Sequence, residues 1–563
     1  MMDSASDNTT TDTSVRSFPA ARWILFGIVL LGAALRFWGI SWGVPDADVP
    51  HRPHHYDEYI TVGTLQQINT SEGDYNPQGA HLGGTFIFFI WHAVAAALDV
   101  VGVLDYHPVG ITSLADPNYG RTLIMGRAVI TLFDLATIVV IYLVATRLTR
   151  DARAGLWAAL FYAILPFQVI HCHFMRPHVA ANLFVALALY LSLRILERPA
   201  TARLFAVTGI VLGIAMATLY QLFALVMLPC LAFAYRRLFV EPERWTFKRV
   251  AGTLTNWRFF LMGGTAFAAF FAGCPFLFLD YDAARPYIQS QSNATDAAQF
   301  LWPLLFNLDK PLDYLVNALP TGLFLLVIPA YLSIIYMATR REYRGIVLPA
   351  LVYSGLYFFY ATKGYGLFAI RALLYLFPIF AVFSGVMIRD LLARWREQPR
   401  KLAATWAMIG FCFLPSTLYT VAYIRAMADR EGDPYVQVQR FFRAVPAEQP
   451  LKVGFVGYEW DRYHVANFKD IIQSAGHQVE VTGSKLDYEQ PENRVDYLLL
   501  FDFDSTMEER INERFESVVR GGNYRLVRTI EHPLALGPLR YDYRASPTDF
   551  RYPFPVIHLF AKK

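Results

Sequence analysis

The stretch HRPHHYDEY, residues 51–59, places His51, His54, His55, Arg52 and the pair Asp57-Glu58 directly after an apolar run. Flanked by Tyr56 and Tyr59, a partly desolvated carboxylate such as Asp57 could act as a general base toward a hydroxyl. The plainer reading is a helix start, since Asp57 opens the pattern DEYITVGTLQQI and acidic residues favour a first turn.

Two other clusters have similar character. HCHFMRPH, residues 171–178, carries His171, His173, His178 and Arg176. With His51, His54 and His55 these histidines could bind a divalent metal, although the spacing is no known zinc signature. Histidine and arginine that contact phosphate are the alternative. TKGYGLFAIRALLYLFP, residues 362–378, sets Lys363 and Arg371 on either side of an aromatic, glycine-containing loop. Two cations there suit an anionic lipid phosphate; snorkelling of each toward headgroups is the plainer reading. Arg36 lies within the first apolar segment and requires a buried partner or a route to the interface.

These clusters need a scaffold, and the composition names its solvent. Of 563 residues, 55% are hydrophobic and only 17% charged, where soluble domains carry about a quarter charged. Mean hydropathy is +0.31. The fold class expected is a polytopic α-helical membrane protein with about eleven spans. The net charge of +4 is spread over short basic clusters, which excludes a nucleic-acid partner. Cys172, Cys230, Cys274 and Cys412 lie in or beside apolar segments and imply no disulfide framework.

Loop charge orients the chain. Residues 146–155, 192–204, 235–252, 339–345 and 389–401 are rich in Lys and Arg, so they read as cytoplasmic. The loops between them, including residues 45–59 and 171–178, are mixed, acidic or aromatic and belong outside. Counting the apolar segment 81–104 as a span would invert that order, so we read it as an in-plane or re-entrant helix in the outer interface. The expected division is a disordered cytoplasmic tail over 1–21, a membrane domain over 22–424 with its first outer loop at 44–120, and an extracytoplasmic α/β domain over 425–563. In that last part short strand-like runs alternate with helical patterns. The protein is then a multi-pass plasma (inner) membrane protein with its N-terminus inside and C-terminal domain outside. Gly209 and Gly213 have the spacing of a helix-packing motif.

Taken together, several features resemble the GT-C membrane glycosyltransferases, in particular the relatives of protein O-mannosyltransferases and the lipid A aminoarabinose transferase. They are Asp57-Glu58 in the first outer loop, the Asn76-Pro77 turn, the in-plane helix ending near VVG, Arg121 and Gly126-Arg127 entering the next span, HCHFMRP, the segment CPFLFLDYDAARPYI over 274–288, and Arg371 with Pro378. The resemblance spans roughly residues 22–389. It implies Asp57 as catalytic base with Glu58 beside it, and a polyprenyl-phosphate-linked sugar donor whose phosphate is held by Lys363 and Arg371. Arg176, Tyr56, Arg127 and Tyr375 join the expected substrate-binding set. The acceptor implied is a lipid, protein or glycan. No cofactor is firmly expected, with a divalent metal left open. Where relatives often read RPD this chain has Arg176-Pro177-His178, and Ala372 follows the late arginine, with Tyr375 one turn on.

Two other readings remain at this level. One is en bloc oligosaccharide transfer from a diphosphate lipid, as an oligosaccharyltransferase or glycan ligase would perform, using Asp57, Asp280 and Asp282. The other is a lipid or sugar transporter, which would show repeats and broken helices at mid-membrane.

Overall fold

The computed structural model describes residues 19–46, 48–77, 84–106, 116–197, 201–241, 246–286, 309–364, 370–446, 450–456, 461–482, 494–502, 521–542 and 554–563. The tail expected over 1–21 falls, up to residue 18, outside these residues. The chain is mainly helical, and it is an integral membrane protein with a small C-terminal sheet.

Among the described residues seven helices are long and apolar enough to cross a membrane: Pro117–Thr149, Pro177–Glu197, Tyr220–Val240, Pro311–Thr339, Arg341–Ala361, Arg371–Arg394 and Pro399–Ala428. Other apolar helices are shorter. Helix α1 (Ala21–Phe37) has 17 residues, as do Ala202–Thr218 and Trp257–Gly273. At 1.5 Å per residue each reaches about 25 Å, the lower edge of a span. A further apolar stretch is broken: Pro166 ends one helix, Ala152–Ala163, and restarts another, Pro166–His171, because proline cannot donate to the preceding turn.

The segment between α1 and the helix Pro117–Thr149 holds two helices. α2 runs Tyr56–Gln66 and α3 runs Phe86–Val100. The 15 residues of α3 cover about 22 Å, too short for the roughly 30 Å core. α3 buries Ile87, Phe88, Trp91 and Ala95, while Val100 is 86% exposed at its end.

α4 (Pro117–Thr149) begins at Asp116, whose carboxylate accepts from Asn118 N at 2.8 Å. α5 is Ala152–Ala163, α6 Pro166–His171 and α7 Pro177–Glu197. Small residues set how closely the spans approach. A Cβ at Gly385 would lie 2.5 Å from Ala158 N, so the helix Phe377–Arg394 touches α5 backbone to backbone. A Cβ at Gly209 or Gly213 would lie 2.2 Å from Met262 O or Ala266 O, so the glycine pair read in the sequence is where Ala202–Thr218 meets Trp257–Gly273.

The charge inside α1 has a partner. Arg36 Nε donates to Asp134 Oδ2 at 2.5 Å, and its Nη1 donates to Ala163 O at 2.8 Å. Tyr162 and Gln168 donate to the other Asp134 oxygen at 2.8 and 2.6 Å, and Asn182 donates to both of them. This network is fully buried and ties α1, α4, α5, α6 and α7 together.

The C-terminal domain has a five-stranded sheet in the order β2-β1-β3-β7-β4. Here β1 is Leu451–Val456, β2 Val479–Thr482, β3 Tyr497–Asp502, β4 Tyr524–Ile530, β5 Leu534–Leu536, β6 Leu539–Tyr541 and β7 Val556–Lys562. β1 pairs in parallel with β2 and β3, and β7 runs antiparallel to β3 and β4. The helices Pro434–Arg443 and Asp461–Ser474 supply Tyr435, Phe442, Phe468 and Ile471 to its core. This domain rests on the segment before α2. Arg52 N donates to Asn467 Oδ1 at 2.9 Å, Gln439 donates to Asp48 O at 2.5 Å, and Arg430 pairs with Asp46.

Candidate active site

α2 starts at His55, whose Nδ1 accepts from Asp57 N at 3.0 Å. Both acids of its first turn are thereby fixed, and they face apart, because neighbours on a helix are about 100° apart. Glu58 points inward and is fully buried. Arg127, on α4, donates Nε to Glu58 Oε1 at 2.9 Å and Nη2 to Oε2 at 2.8 Å, and Met175 N donates to Oε1 at 2.7 Å. Arg127 Nη1 donates to Ile40 O and Trp42 O at 2.8 and 2.6 Å. The pair therefore joins the end of the first span, α2, α4 and the loop before α7.

Asp57 points the other way and keeps 35% of its side chain exposed. Arg176 Nη2 lies 2.5 Å from Asp57 Oδ2, and Arg176 Nη1 is 3.1 Å from His55 Nε2. A neutral imidazole has one lone pair in its ring plane, so the helix cap and the arginine compete for His55. Burial alone would raise the Asp57 pKa, yet Arg176, His55 and Arg371 together hold it well below the usual carboxylate range. Arg371 thus lies within electrostatic reach of Asp57, as the sequence reading placed it. Tyr375 is buried nearby in the same helix, stacked against His178 with ring centroids 6.4 Å apart.

The remaining expected residues separate. Tyr56 opens α2 and is half-buried. Lys363 lies near the end of the helix Arg344–Gly364, and its side chain is outside the described residues. The histidines considered for metal go to other partners. His173 places Nδ1 3.0 Å from Val169 O and Nε2 2.9 Å from Trp38 O, so both ring nitrogens face carbonyls, and burial takes its pKa down to about 4. His54 Nε2 bonds Asp433 Oδ2 at 2.7 Å. His171 is buried against Phe167, centroids 4.1 Å apart, and His55 serves α2 and Arg176. Among the described residues no group of three or more His, Cys, Asp or Glu side chains is arranged to hold a metal ion. Asp280, offered for the acidic set of the second reading, accepts from Asn76 Nδ2 at 2.8 Å. That bond joins the Asn76-Pro77 turn to the 274–288 segment.

Asp433 and Tyr435 were not singled out from the sequence, and His51 was read there only among the histidines that could join a metal site. Asp433 caps the helix Pro434–Arg443 through Tyr435 N at 2.8 Å while holding His54. Burial alone would raise its pKa; His54 and His51 hold it at about 2. His51 stacks on Tyr435 with centroids 5.5 Å apart, and burial, then His54, lowers its pKa to about 4. The sequence signal for this contact is the Asp433-Pro434 helix start. The histidine it would meet cannot be identified from that signal.

Comparison with known proteins gives the site a context. A family model described as dolichyl-phosphate-mannose-protein mannosyltransferase matches residues 119–256, which contain Arg127 and Arg176. No curated protein matches the chain. Among solved structures, the oligosaccharyltransferase of Archaeoglobus fulgidus in its apo form is 12% identical over 86% of this chain and 69% of its own, with a TM-score of 0.48. AglB from the same organism, in complex with an inhibitory peptide and a dolichol-phosphate, is 12% identical over 89% and 71%, with a TM-score of 0.46. ArnT from Cupriavidus metallidurans bound to undecaprenyl phosphate is 12% identical over 96% and 98%, with a TM-score of 0.45. The match over 119–256 bears out the resemblance to GT-C membrane glycosyltransferases and supports a glycosyltransferase.

Proposed function

We propose that this GT-C-type membrane protein transfers a sugar from a polyprenyl-phosphate-linked donor to a lipid, protein or glycan acceptor on the outer face of the plasma membrane, with Asp57 as the general base. The observation that carries the reading is the opposite fate of two adjacent acids. Glu58 is sealed against Arg127, whereas Asp57 is half-open and faced by Arg176 and Arg371. An exposed carboxylate beside two guanidiniums has the chemistry to take a proton from a hydroxyl while the cations meet a departing phosphate.

In the proposed step the acceptor oxygen attacks the anomeric carbon as the bond from that carbon to the phosphate oxygen breaks, with inversion. The acceptor proton passes to Asp57, and the polyprenyl phosphate leaves with its new charge held by Arg371, Arg176 and Lys363. A carboxylate pinned at 2.5 Å by an arginine is a weak base. Arg176 therefore has two uses: it keeps Asp57 ionised in the empty site, and it turns to the phosphate when donor binds, which restores basicity to Asp57. Glu58 and Arg127 are positioning residues here, because Glu58 fixes the first turn of α2.

The orientation that fits this reading has the N-terminus in the cytoplasm and the C-terminal domain outside, supported by the basic loops. The test uses full-length protein in nanodiscs with radiolabelled undecaprenyl-phosphate and dolichyl-phosphate sugars, comparing wild type with Asp57→Asn, with and without chelator. We expect the variant to consume donor at least about a hundredfold more slowly. Wild-type turnover in a normally expressed variant removes Asp57 from the chemistry, and loss of activity on chelation reinstates a metal.

A further inference from the structure

At the ends of the helices away from Asp57 lies a groove of about 660 Å³. Chain direction places it. α1 begins there with Ile24 and Ile28 and runs toward the site, where Ile40 O accepts from Arg127. α5 starts there as well, and Phe377–Arg394 ends there before Pro399–Ala428 begins. The walls are apolar: Ile24 and Ile28 from α1, Leu156, Trp157 and Leu160 from α5, and Trp406 from the last span. Trp157 and Trp406 lie against each other with ring centroids 5.7 Å apart.

The polar part of the lining is cationic. It holds Arg153, Arg389 and Arg396 with the carboxylate of Asp151, and Asp390 stands beside Arg389. Arg389 Nη1 meets Asp390 at 3.1 Å and Nη2 donates to Tyr343 Oη at 3.3 Å; Asp151 stands 4.0 Å from Nε, which is itself buried without a hydrogen bond. Arg153 and Arg396 are exposed at the groove's mouth.

We infer that this groove is a binding site for an anionic phospholipid, with an acyl chain along the apolar wall of α1 and α5 and the phosphate among Arg153, Arg389 and Arg396. Charge complementarity selects the class. An apolar channel between spans takes an acyl chain from any lipid, but a zwitterionic headgroup would bring its own cation against a lining with excess positive charge, whereas an anionic phosphodiester meets the guanidinium forks directly. The paired tryptophans beside the arginines have the composition of a membrane interface, the depth at which a phosphate lies. The inference is independent of the donor chemistry proposed for Asp57, which involves other residues at the opposite ends of the helices.

The test is native mass spectrometry of the full-length protein in detergent, titrated with an equimolar mixture of dioleoyl-phosphatidylglycerol and dioleoyl-phosphatidylcholine. The expected result is a several-fold preference for phosphatidylglycerol. It falls by roughly tenfold in affinity for R153Q/R396Q, whose side chains lie at the surface, with phosphatidylcholine binding unchanged. R341Q/R344Q removes two exposed cations outside the groove lining and is expected to leave the preference intact. Equal binding of the two lipids overturns the inference. So does an unchanged preference in R153Q/R396Q, and so does an equal loss in R341Q/R344Q, which would assign the effect to diffuse surface charge.

Discussion

The buried Glu58–Arg127 pair makes the sharpest test of how α2 is held. Both side chains are fully buried. Replacing Arg127 by Met leaves the Glu58 carboxylate with the Met175 amide as its remaining hydrogen-bond donor, where it has three bonds in the native site. An uncompensated buried charge of this kind costs about 3–5 kcal/mol. The reverse change, Glu58→Leu, strands the guanidinium, which keeps the carbonyls of Ile40 and Trp42, and should cost somewhat less. The double variant carries neither charge. It loses the hydrogen bonds of two carbonyls and one amide, each worth about 1 kcal/mol or a little more, so it is expected to be at least ~2 kcal/mol more stable than the sum of the single effects. With an unfolding entropy near 2.1 cal/mol/K per residue, Arg127→Met lowers the thermal midpoint of the 563-residue chain by ~3 °C if the whole chain unfolds together, and by more if the membrane domain melts alone. The assay is the thermal midpoint in detergent across the four-member cycle, alongside donor consumption. Effects that add to within about 0.5 kcal/mol would show that the two residues do not act as a pair. The assignment of Glu58 to positioning rather than chemistry would then fail with it.

Three further outcomes follow. His51 is buried with a folded pKa of about 4 against 6.5 unfolded; the unfolded chain therefore binds the extra proton, and stability falls as pH drops from 6.5 toward 4, by up to roughly 3 kcal/mol. His51→Phe keeps a ring against Tyr435 and should flatten midpoint against pH in that window by about one proton's worth, whereas an unchanged slope clears His51 of the effect. Asp433→Asn keeps the cap of Pro434–Arg443 but removes the carboxylate that His54 Nε2 meets, so limited proteolysis should release the C-terminal domain faster while the membrane domain keeps its midpoint; equal cleavage rates would count against that contact as the anchor. Gly213→Leu puts a side chain where a Cβ already lies 2.2 Å from Ala266 O, so yield and midpoint should both drop. Gly264→Leu, with open space around it, serves as the control that should not.

What could be read beforehand divides along a physical line. The helical, membrane-embedded class was readable from composition and from the basic clusters between apolar runs, because moving a cluster of arginines across a membrane is costly however the helices pack. The convergence of Asp57, Arg176 and Arg371 was legible for a related reason: ionisable groups at one face of a membrane domain are few and need one another. Which acid takes which arginine was not legible. Asp57 and Glu58 are adjacent in sequence, and only the rotation of α2 against α4 decides that Glu58 meets Arg127 and Asp57 the opening. The histidines were harder still. Their spacing suggested ligands, yet His173 turns to two backbone carbonyls and His54 to Asp433, 379 residues away. A histidine's partner depends on what tertiary packing brings to each ring nitrogen. The first loop is therefore rich in histidine for two reasons that spacing cannot separate: His55 supports the carboxylate at the opening, and His51 with His54 receives the C-terminal domain. Because Asp57 is only three residues from His54 on the same short segment, movement of that domain on its histidine contacts would be felt at the start of α2, which joins the domain's position to the geometry of the proposed base.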